Sequence, residues 1–271
     1  MVRPFALCFV TYYPHRDLLT RIKGALKDGY TVYIWDNTPS GDKLFHNIKE
    51  DNLFIHGNGI NEGVGFALNK LLNHVHSELF SLALYFDQDT LFSTAGLSWI
   101  MNWLNHNELN IKETAVLNFK SNTPENEIKK SKLQNAYFVI SSGSLFKLEN
   151  ISKIGWHNPK FFLECVDYEL CARAHFLNFT ISQVSGCPGL NHYELQPFNS
   201  AIIFNRKFEF RLYSINRNFS FIFNLLRLSL KSLFKAHFML AWYFFRNIIT
   251  HLLNQIRAIF LTSLNIFTIV K

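Results

Sequence analysis

The sequence predicts an α/β fold: a Rossmann-like, mostly parallel sheet with helices on both faces, followed by a region of amphipathic helices. Three observations carry that expectation. Apolar runs of strand length alternate with segments of helical period through residues 1–198. Polar residues gather just beyond the ends of those runs, where open α/β sheets collect their ligands. Residues 199–271 then change character, from nearly neutral to basic and aromatic.

Residues 3–11 (RPFALCFVT) form a near-continuous apolar run, as expected of a strand covered on both faces. Residues 16–27 repeat Leu18, Leu19, Ile22, Ala25 and Leu26 at helical spacing, and Asp28-Gly29 ends that helix. A second strand (31–35, TVYIW) leads into the turn-rich DNTPSGD, and a short third strand covers 53–56. Helical period returns over 62–76, a fourth strand covers 82–86, and Ser93 caps a helix running to about residue 106. Residues 107–135 read as polar loop except for 115–119. Residues 137–141 (YFVIS) read as a strand, 150–154 as a helix, and 180–184 as a last strand. This order implies parallel strands joined by covering helices.

Four polar groups fall at strand ends: Thr11-Tyr12, Asp36-Asn37, residues 58–61, and the carboxylates of YFDQDT, Asp87 and Asp89. On an extended backbone, alternation points Asp87 and Asp89 to one side. Two like charges there resist burial unless a cation sits between them, and a divalent metal would serve. A second acidic group, Glu164, Asp167 and Glu169, heads the segment FFLECVDYELCARAHF, with Leu170, Ala174 and Leu177 as a helical stripe behind it. Asp167 stands where a helix begins, a place that favours negative charge.

Composition narrows the class. A chain of 271 residues that is 48% hydrophobic can bury a large core. Cys8, Cys165, Cys171 and Cys187 lack CxxC spacing and read as reduced thiols of a cytoplasmic protein. The opening MVRPFALCFV is soon interrupted by Tyr12, Pro14 and His15, unlike a signal peptide. Residues 1–198 hold 17 Lys/Arg against 19 Asp/Glu, whereas residues 199–271 hold 10 against Glu209 alone. The whole excess of +7 therefore lies in the last quarter, beside 15 Phe, Tyr and Trp. There Arg227, Lys231 and Lys235 recur every four residues, with Arg246 and Arg257 following, among Leu, Phe and Ile at helical spacing. That pattern suits an anionic membrane surface better than nucleic acid, and no stretch reaches the ~18 uncharged residues of a spanning helix. The bland alternative packs these helices on the main domain. The sequence carries no signal for oligomeric state.

In chain order, the motifs VTYYP (10–14), WDNTPSG (35–41), NEGVGFALN (61–69), YFDQDT (85–90), SSGSL (141–145), IGWHNPKFFLECVDYELCARA (154–174), LNHY (190–193) and FRLYSINRN (210–218) resemble a known family. The chain is similar to inverting nucleotide-sugar glycosyltransferases of family 2, with the GT-A fold. Within them it resembles the branch called rhamnosyltransferases of bacterial surface polysaccharides. The resemblance implies transfer of a sugar from a nucleoside-diphosphate donor to a glycan or lipid-linked acceptor, in O-antigen, lipopolysaccharide or capsule synthesis. It implies Mn²⁺ or Mg²⁺ as cofactor and work at the inner face of the plasma membrane. By resemblance, Asp89 is the direct metal ligand, Asp87 reaches the metal through water or touches the ribose, and His192 completes the site. Asp167 matches the catalytic base, with Glu164 as its rival. Asp36 matches the carboxylate that holds the nucleotide base, flanked by Thr11 and by a stacking Tyr12. Asn61, Gly63, Asn69 and Gln88 match positions near the nucleotide. Ser142 and Gly143 match the sugar pocket, and Arg217 meets phosphate, acceptor or lipid. Two positions depart from the pattern: Thr90 stands where Ser is frequent, and Glu164 where Asp is.

Plain structural readings stand beside these: Asp167 as a helix cap, Asp36-Asn37 as turn chemistry, His192 bonded to backbone. Other classes fit less well. A haloacid-dehalogenase-type phosphatase wants Thr or Val where Leu91 stands, and a nucleotidyltransferase wants a glycine-rich basic loop where HRDLLTRIKG stands. A degenerate sugar-binding or membrane-scaffold protein of the same fold would not need its full set of Asp36, Asp89, Asp167 and His192.

Overall fold

The structure is a computed structural model describing residues 5–45, 48–107, 111–120, 130–192, 199–203 and 206–269. The chain divides into two compact units, residues 1–193 and 194–271. In the first unit the strands are β1 (Ala6–Thr11), β2 (Val32–Asp36), β3 (Leu53–His56), β4 (Leu82–Asp87), β5 (Thr90–Phe92), β6 (Thr114–Phe119), β7 (Lys132–Asn135), β8 (Ser144–Lys147), β9 (Thr180–Ser185) and β10 (Leu190–His192). Its helices are α1 (Arg16–Lys27), α2 (Val64–Ser77), α3 (Thr94–Asn107), α4 (Leu148–Ile154) and α5 (Val166–Phe176).

Eight strands form one sheet in the order β3-β2-β1-β4-β8-β6-β9-β7. The pairs β1–β2, β1–β4, β2–β3 and β6–β9 are parallel, and only β8 and β7 run against the rest. β1 and β2 are buried at every position, which is why they read as unbroken apolar runs. Ser93 caps α3 as expected, its Oγ accepting the Gly96 N–H at 3.0 Å. β5 pairs antiparallel with β10 in a two-stranded sheet that sets His192 opposite Thr90 in register. The side chain of His192 lies outside the described residues.

Two expectations fail. The polar residues 132–135, read as loop, form edge strand β7, which owes its existence to pairing with β9 and not to its own pattern. The apolar residues 137–141, read as a strand, leave the sheet instead. Side chains occupy the acceptors that a ladder would use: Asn118 Nδ2 donates to the carbonyls of Ile140 and Ser142 at 3.2 and 3.0 Å, and His175 Nε2 meets that of Tyr137 at 2.8 Å.

Gly63 and Gly65 answer to packing within the protein. A Cβ at Gly65 would sit 2.2 Å from the Phe161 carbonyl oxygen, and one at Gly63, whose φ is +83°, 2.5 Å from that of Phe162. Val64 N–H donates to the Phe162 carbonyl at 2.6 Å, and Asn69 Nδ2 donates to the His157 carbonyl at 2.6 Å. The α2 N-terminus is thus a seat for residues 157–162.

His157 in that segment is buried, its ring edge-on to Phe146, and neither ring nitrogen has a hydrogen-bond partner among the described residues. Burial first, and the Arg173 charge second, push its pKa down to about 3. The folded state therefore holds it neutral, while the unfolded chain takes up a proton below about 6.5. Its contribution to stability is complete above that pH and is lost as pH falls toward 3. We expect His157→Phe to gain about 2 kcal/mol on wild type between pH 6.5 and pH 5. Urea unfolding at the two pH values checks this, and parallel curves would refute it.

In the second unit β11 (Asn199–Ile203) and β12 (Arg206–Phe210) form an antiparallel hairpin, followed by helices α6 (Ile215–Phe234) and α7 (Phe238–Ile269). Among the described residues no helix is long and apolar enough to cross a membrane.

Candidate active site

β4 ends at Asp87, the chain turns through Gln88-Asp89, and β5 begins at Thr90. Asp87 therefore ends the strand and Asp89 lies in the turn itself, so the two do not share one face of a continuous strand. The turn is rigidly framed: the Phe86 and Phe92 rings on either side of it stack at 4.8 Å and 6°. Gln88 is spent within the protein. Its Oε1 accepts Tyr12 N–H at 2.8 Å and its Nε2 donates to the Tyr12 carbonyl at 3.1 Å, clamping the loop after β1 to the turn.

One carboxylate bonds a buried phenol, and two more act on it through their charge. Tyr85, fully buried on β4, donates to Asp87 Oδ1 at 2.7 Å. Its pKa is driven well above the ordinary tyrosine value by burial, then by Asp87, with Asp167 and Asp89 adding to the effect. Asp87, Asp89 and Asp167, from two distant stretches of sequence, thus lie within electrostatic reach of a single hydroxyl.

The dipeptide Ser141-Ser142 ties the two stretches together. Ser142 Oγ accepts Asp87 N–H at 3.0 Å and pairs with Thr90 Oγ1 at 2.5 Å, while Ser141 Oγ donates to Asp167 Oδ1. Gly143, with φ of +74°, lets the loop turn so that its N–H reaches the Tyr85 carbonyl at 2.8 Å. Asp167 opens α5, which the chain enters through Cys165 in the left-handed region, φ +67°. A non-glycine residue held there costs about 1 kcal/mol or more, and here it turns the chain into the helix that carries Asp167. Glu164 lies just ahead in the same loop, part-exposed. Glu169 belongs elsewhere: it is buried and paired with Arg173 at 2.8 Å.

Asp36 is a linchpin of its own loop. Its Oδ1 accepts Thr11 Oγ1 at 3.2 Å and Thr38 N–H at 2.9 Å, and its Oδ2 accepts Asp42 N–H at 2.6 Å. It also lines a cleft of ≈ 420 Å³ with Ser40, Asp42, Ile55 and His56, beyond the ends of β2 and β3. Tyr12 presents its ring at 46% exposure. Asn61 caps locally, its Oδ1 accepting Gly63 N–H at 3.0 Å. Asn61, Gly63 and Asn69 all serve the seat of residues 157–162, an architectural task that the sequence does not distinguish from ligand contact. Arg217 belongs to the second unit, its Cζ 4.6 Å from the Tyr213 ring centroid.

Arg21 was not singled out by the sequence. From α1 its Nη2 donates to the Gln88 carbonyl at 2.8 Å, and its charge acts on Asp17 and Asp89. It is the cation that the acidic turn needs even without a metal. Arg21→Ala is expected to speed amide hydrogen exchange over residues 87–90 by roughly tenfold, the worth of one charge-assisted hydrogen bond. Unchanged exchange there would remove Arg21 from the turn's support.

Asp89 is part-exposed in the turn, with the Arg21 charge acting on it. Asp87 and Asp89 offer hard oxygens suited to Mg²⁺ or Mn²⁺. Among the described residues no group of three or more His, Cys, Asp or Glu could enclose a metal. Such a set fits the mode in which one or two carboxylates hold the ion and substrate phosphates and water complete it.

No family model matches the sequence, and no curated protein does. The structure is similar to that of S. aureus TarS, with a TM-score of 0.57 at 13% identity, covering 86% of this chain and 40% of that one. It also aligns with GalNAc-T7, crystallised with UDP, GalNAc and Mn²⁺, at a TM-score of 0.44 and 10% identity over 70% of this chain and 45% of that one. That second likeness is too slight to speak to this chain's chemistry. The chain has the mixed α/β architecture of the GT-A fold, with a C-terminal helix pair. It spans less than half the length of TarS.

Proposed function

We infer that this chain is a metal-dependent, inverting glycosyltransferase. It would move a hexose, rhamnose-like or other, from a nucleoside diphosphate to a glycan or lipid-linked acceptor of a bacterial surface polysaccharide. The tie that Ser141-Ser142 makes between the Asp87 backbone and the Asp167 carboxylate supports the reading most. It brings the acidic 87–89 turn, which would hold the metal, beside a separate carboxylate at the carboxyl end of β4.

In this reading Asp89 holds the cation, Asp87 supports it through water or meets the ribose, and His192, opposite Thr90 in register, completes the set. When bound, the cation would offset the charge that grows on the departing diphosphate. Asp167 would take the proton from the acceptor hydroxyl as that oxygen attacks the anomeric carbon from the face opposite the diphosphate. The C–O bond to the diphosphate breaks as the new one forms, so a single displacement inverts the centre. Tyr12 and Asp36 would receive the base, and Ser142, Gly143 and Glu164 the sugar and acceptor. Arg217 would serve acceptor, phosphate or lipid. The basic C-terminal region would keep the enzyme at the cytoplasmic face of the plasma membrane.

The test is calorimetric titration of dTDP-, UDP- and GDP-sugars with and without Mn²⁺. One nucleotide class should bind, at least tenfold tighter with the metal. If none binds in either condition, the proposal fails.

A further inference from the structure

α6 and α7 form an antiparallel pair whose register can be read from its polar contacts. Ser229 Oγ donates to the Ala241 carbonyl at 2.9 Å, Asn218 Oδ1 meets His251 Nε2 at 2.7 Å, and Tyr213 N–H donates to Gln255 Oε1 at 3.0 Å. The buried side of α6 is Leu225, Leu228, Ser229 and Ser232, and that of α7 includes Ala241, Phe244, Ile248 and Gln255.

A second apolar stripe on each helix is left in the open. On α6, Phe219, Phe223, Leu226, Leu230 and Leu233 recur at intervals of four and three, with Phe219 71% and Phe223 64% exposed. On α7, Phe238, Trp242, Phe245, Ile249, Leu252 and Ile256 keep the same intervals, with Phe238 68% and Trp242 59% exposed. At 100° per residue, each stripe lies roughly 120° from its helix's buried side, in the same rotational sense along the chain. Because the helices are antiparallel, equal senses along the chain are mirror senses across the pair. Both stripes therefore open on the same side, as one broad apolar face.

Cations border that face. Arg227 on α6, and Arg246 and Arg257 on α7, stand near the edges of the stripes, with Lys231 and, at the α6 C-cap, Lys235 farther round; all five are exposed, and neither helix contains an acidic residue. An apolar face of this extent is unusual on a soluble surface and needs an occupant. A second copy would set five like charges against five with no carboxylate to pair them. An anionic lipid leaflet matches both the apolar face and the charge, and helices too short in apolar run to span a bilayer can lie in its headgroup region.

We propose that the α6–α7 pair is a single docking surface for an anionic leaflet, lying flat with Phe223, Leu226, Leu230, Trp242, Phe245 and Ile249 in the acyl boundary. This rests on the membrane part of the function proposed above and is independent of its chemistry.

The test is flotation of the full chain with phosphatidylglycerol-containing vesicles and with pure phosphatidylcholine vesicles. Wild type should float with the anionic vesicles and only weakly with the neutral ones. The double change Leu226→Glu with Trp242→Glu should weaken binding at least tenfold. Arg227→Gln with Lys231→Gln and Lys235→Gln should weaken it by on the order of a hundredfold. Leu79→Glu, an exposed apolar position in the first unit, should leave binding unchanged. If wild type ignores both vesicles, the membrane reading itself falls. If it floats but Leu226→Glu with Trp242→Glu does not matter, the assigned face is wrong while membrane binding stands. Equal binding to both vesicles would refute the charge argument. Loss of a dimer in sedimentation, with flotation intact, would give the face to a second copy.

Discussion

Asp167→Asn is expected to lower the rate of sugar transfer by about 10²–10⁴-fold, the usual worth of a general base, while donor affinity changes by no more than about twofold. The choice of asparagine matters. Its side-chain oxygen can still accept from Ser141 Oγ, so the tie between the 141–142 loop and α5 survives and only proton acceptance is lost. Ser141→Ala makes the complementary change: it keeps the carboxylate and removes its hydrogen bond, for which roughly tenfold is expected. Initial rates at saturating donor, beside the donor titration curve, separate the two effects. Full activity in Asp167→Asn would end the assignment and pass the role to Glu164, the other carboxylate at the entrance to α5. The same entrance gives Asp167 its setting, since the first turn of a helix favours a negative charge.

The sequence announces those features that depend on local pattern. β1 and β2 are buried on both faces and read so directly; Ser93 caps where a cap is written; the carboxylates at the strand ends fall where a parallel sheet puts them. What escapes is set by contacts between distant residues. Nothing in KLQN says strand, because β7 exists through its pairing with β9. Nothing in YFVIS says loop, because its carbonyls are held by side chains far away in sequence, Asn118 and His175. The same holds for the site. Asp87, Asp89 and Asp167 can be named from sequence, but the Ser141-Ser142 bridge and the Arg21 support cannot. At Gly63 and Gly65 the sequence shows only that a backbone can come close; the atoms that do so are those of Phe162 and Phe161.

Arg173→Ala should destabilise the first unit by about 3–5 kcal/mol, because it leaves a charge buried without its partner. Glu169 is 2% exposed, and Arg173 meets it through Nε at 2.8 and 3.0 Å and through Nη2 at 2.8 Å. The rest of the guanidinium holds backbone: Nη1 donates to the carbonyls of Ile154 at 2.7 Å and Gly155 at 3.1 Å, and Nη2 to that of Trp156 at 2.5 Å. Gly155 and Trp156 both have positive φ, 96° and 46°, so this turn needs the clamp. Replacing both partners, Arg173→Met with Glu169→Met, removes the buried charge and should recover part of the loss. Recovery stays incomplete because the three carbonyls still lack their donors. Guanidinium unfolding of the single and double variants measures the difference, and a single variant no less stable than the double would contradict it. The consequence reaches the site. Arg173 fastens the 154–156 turn to α5, and the first turn of that helix carries Asp167. Transfer activity in Arg173→Ala should therefore fall even at temperatures where the protein remains folded.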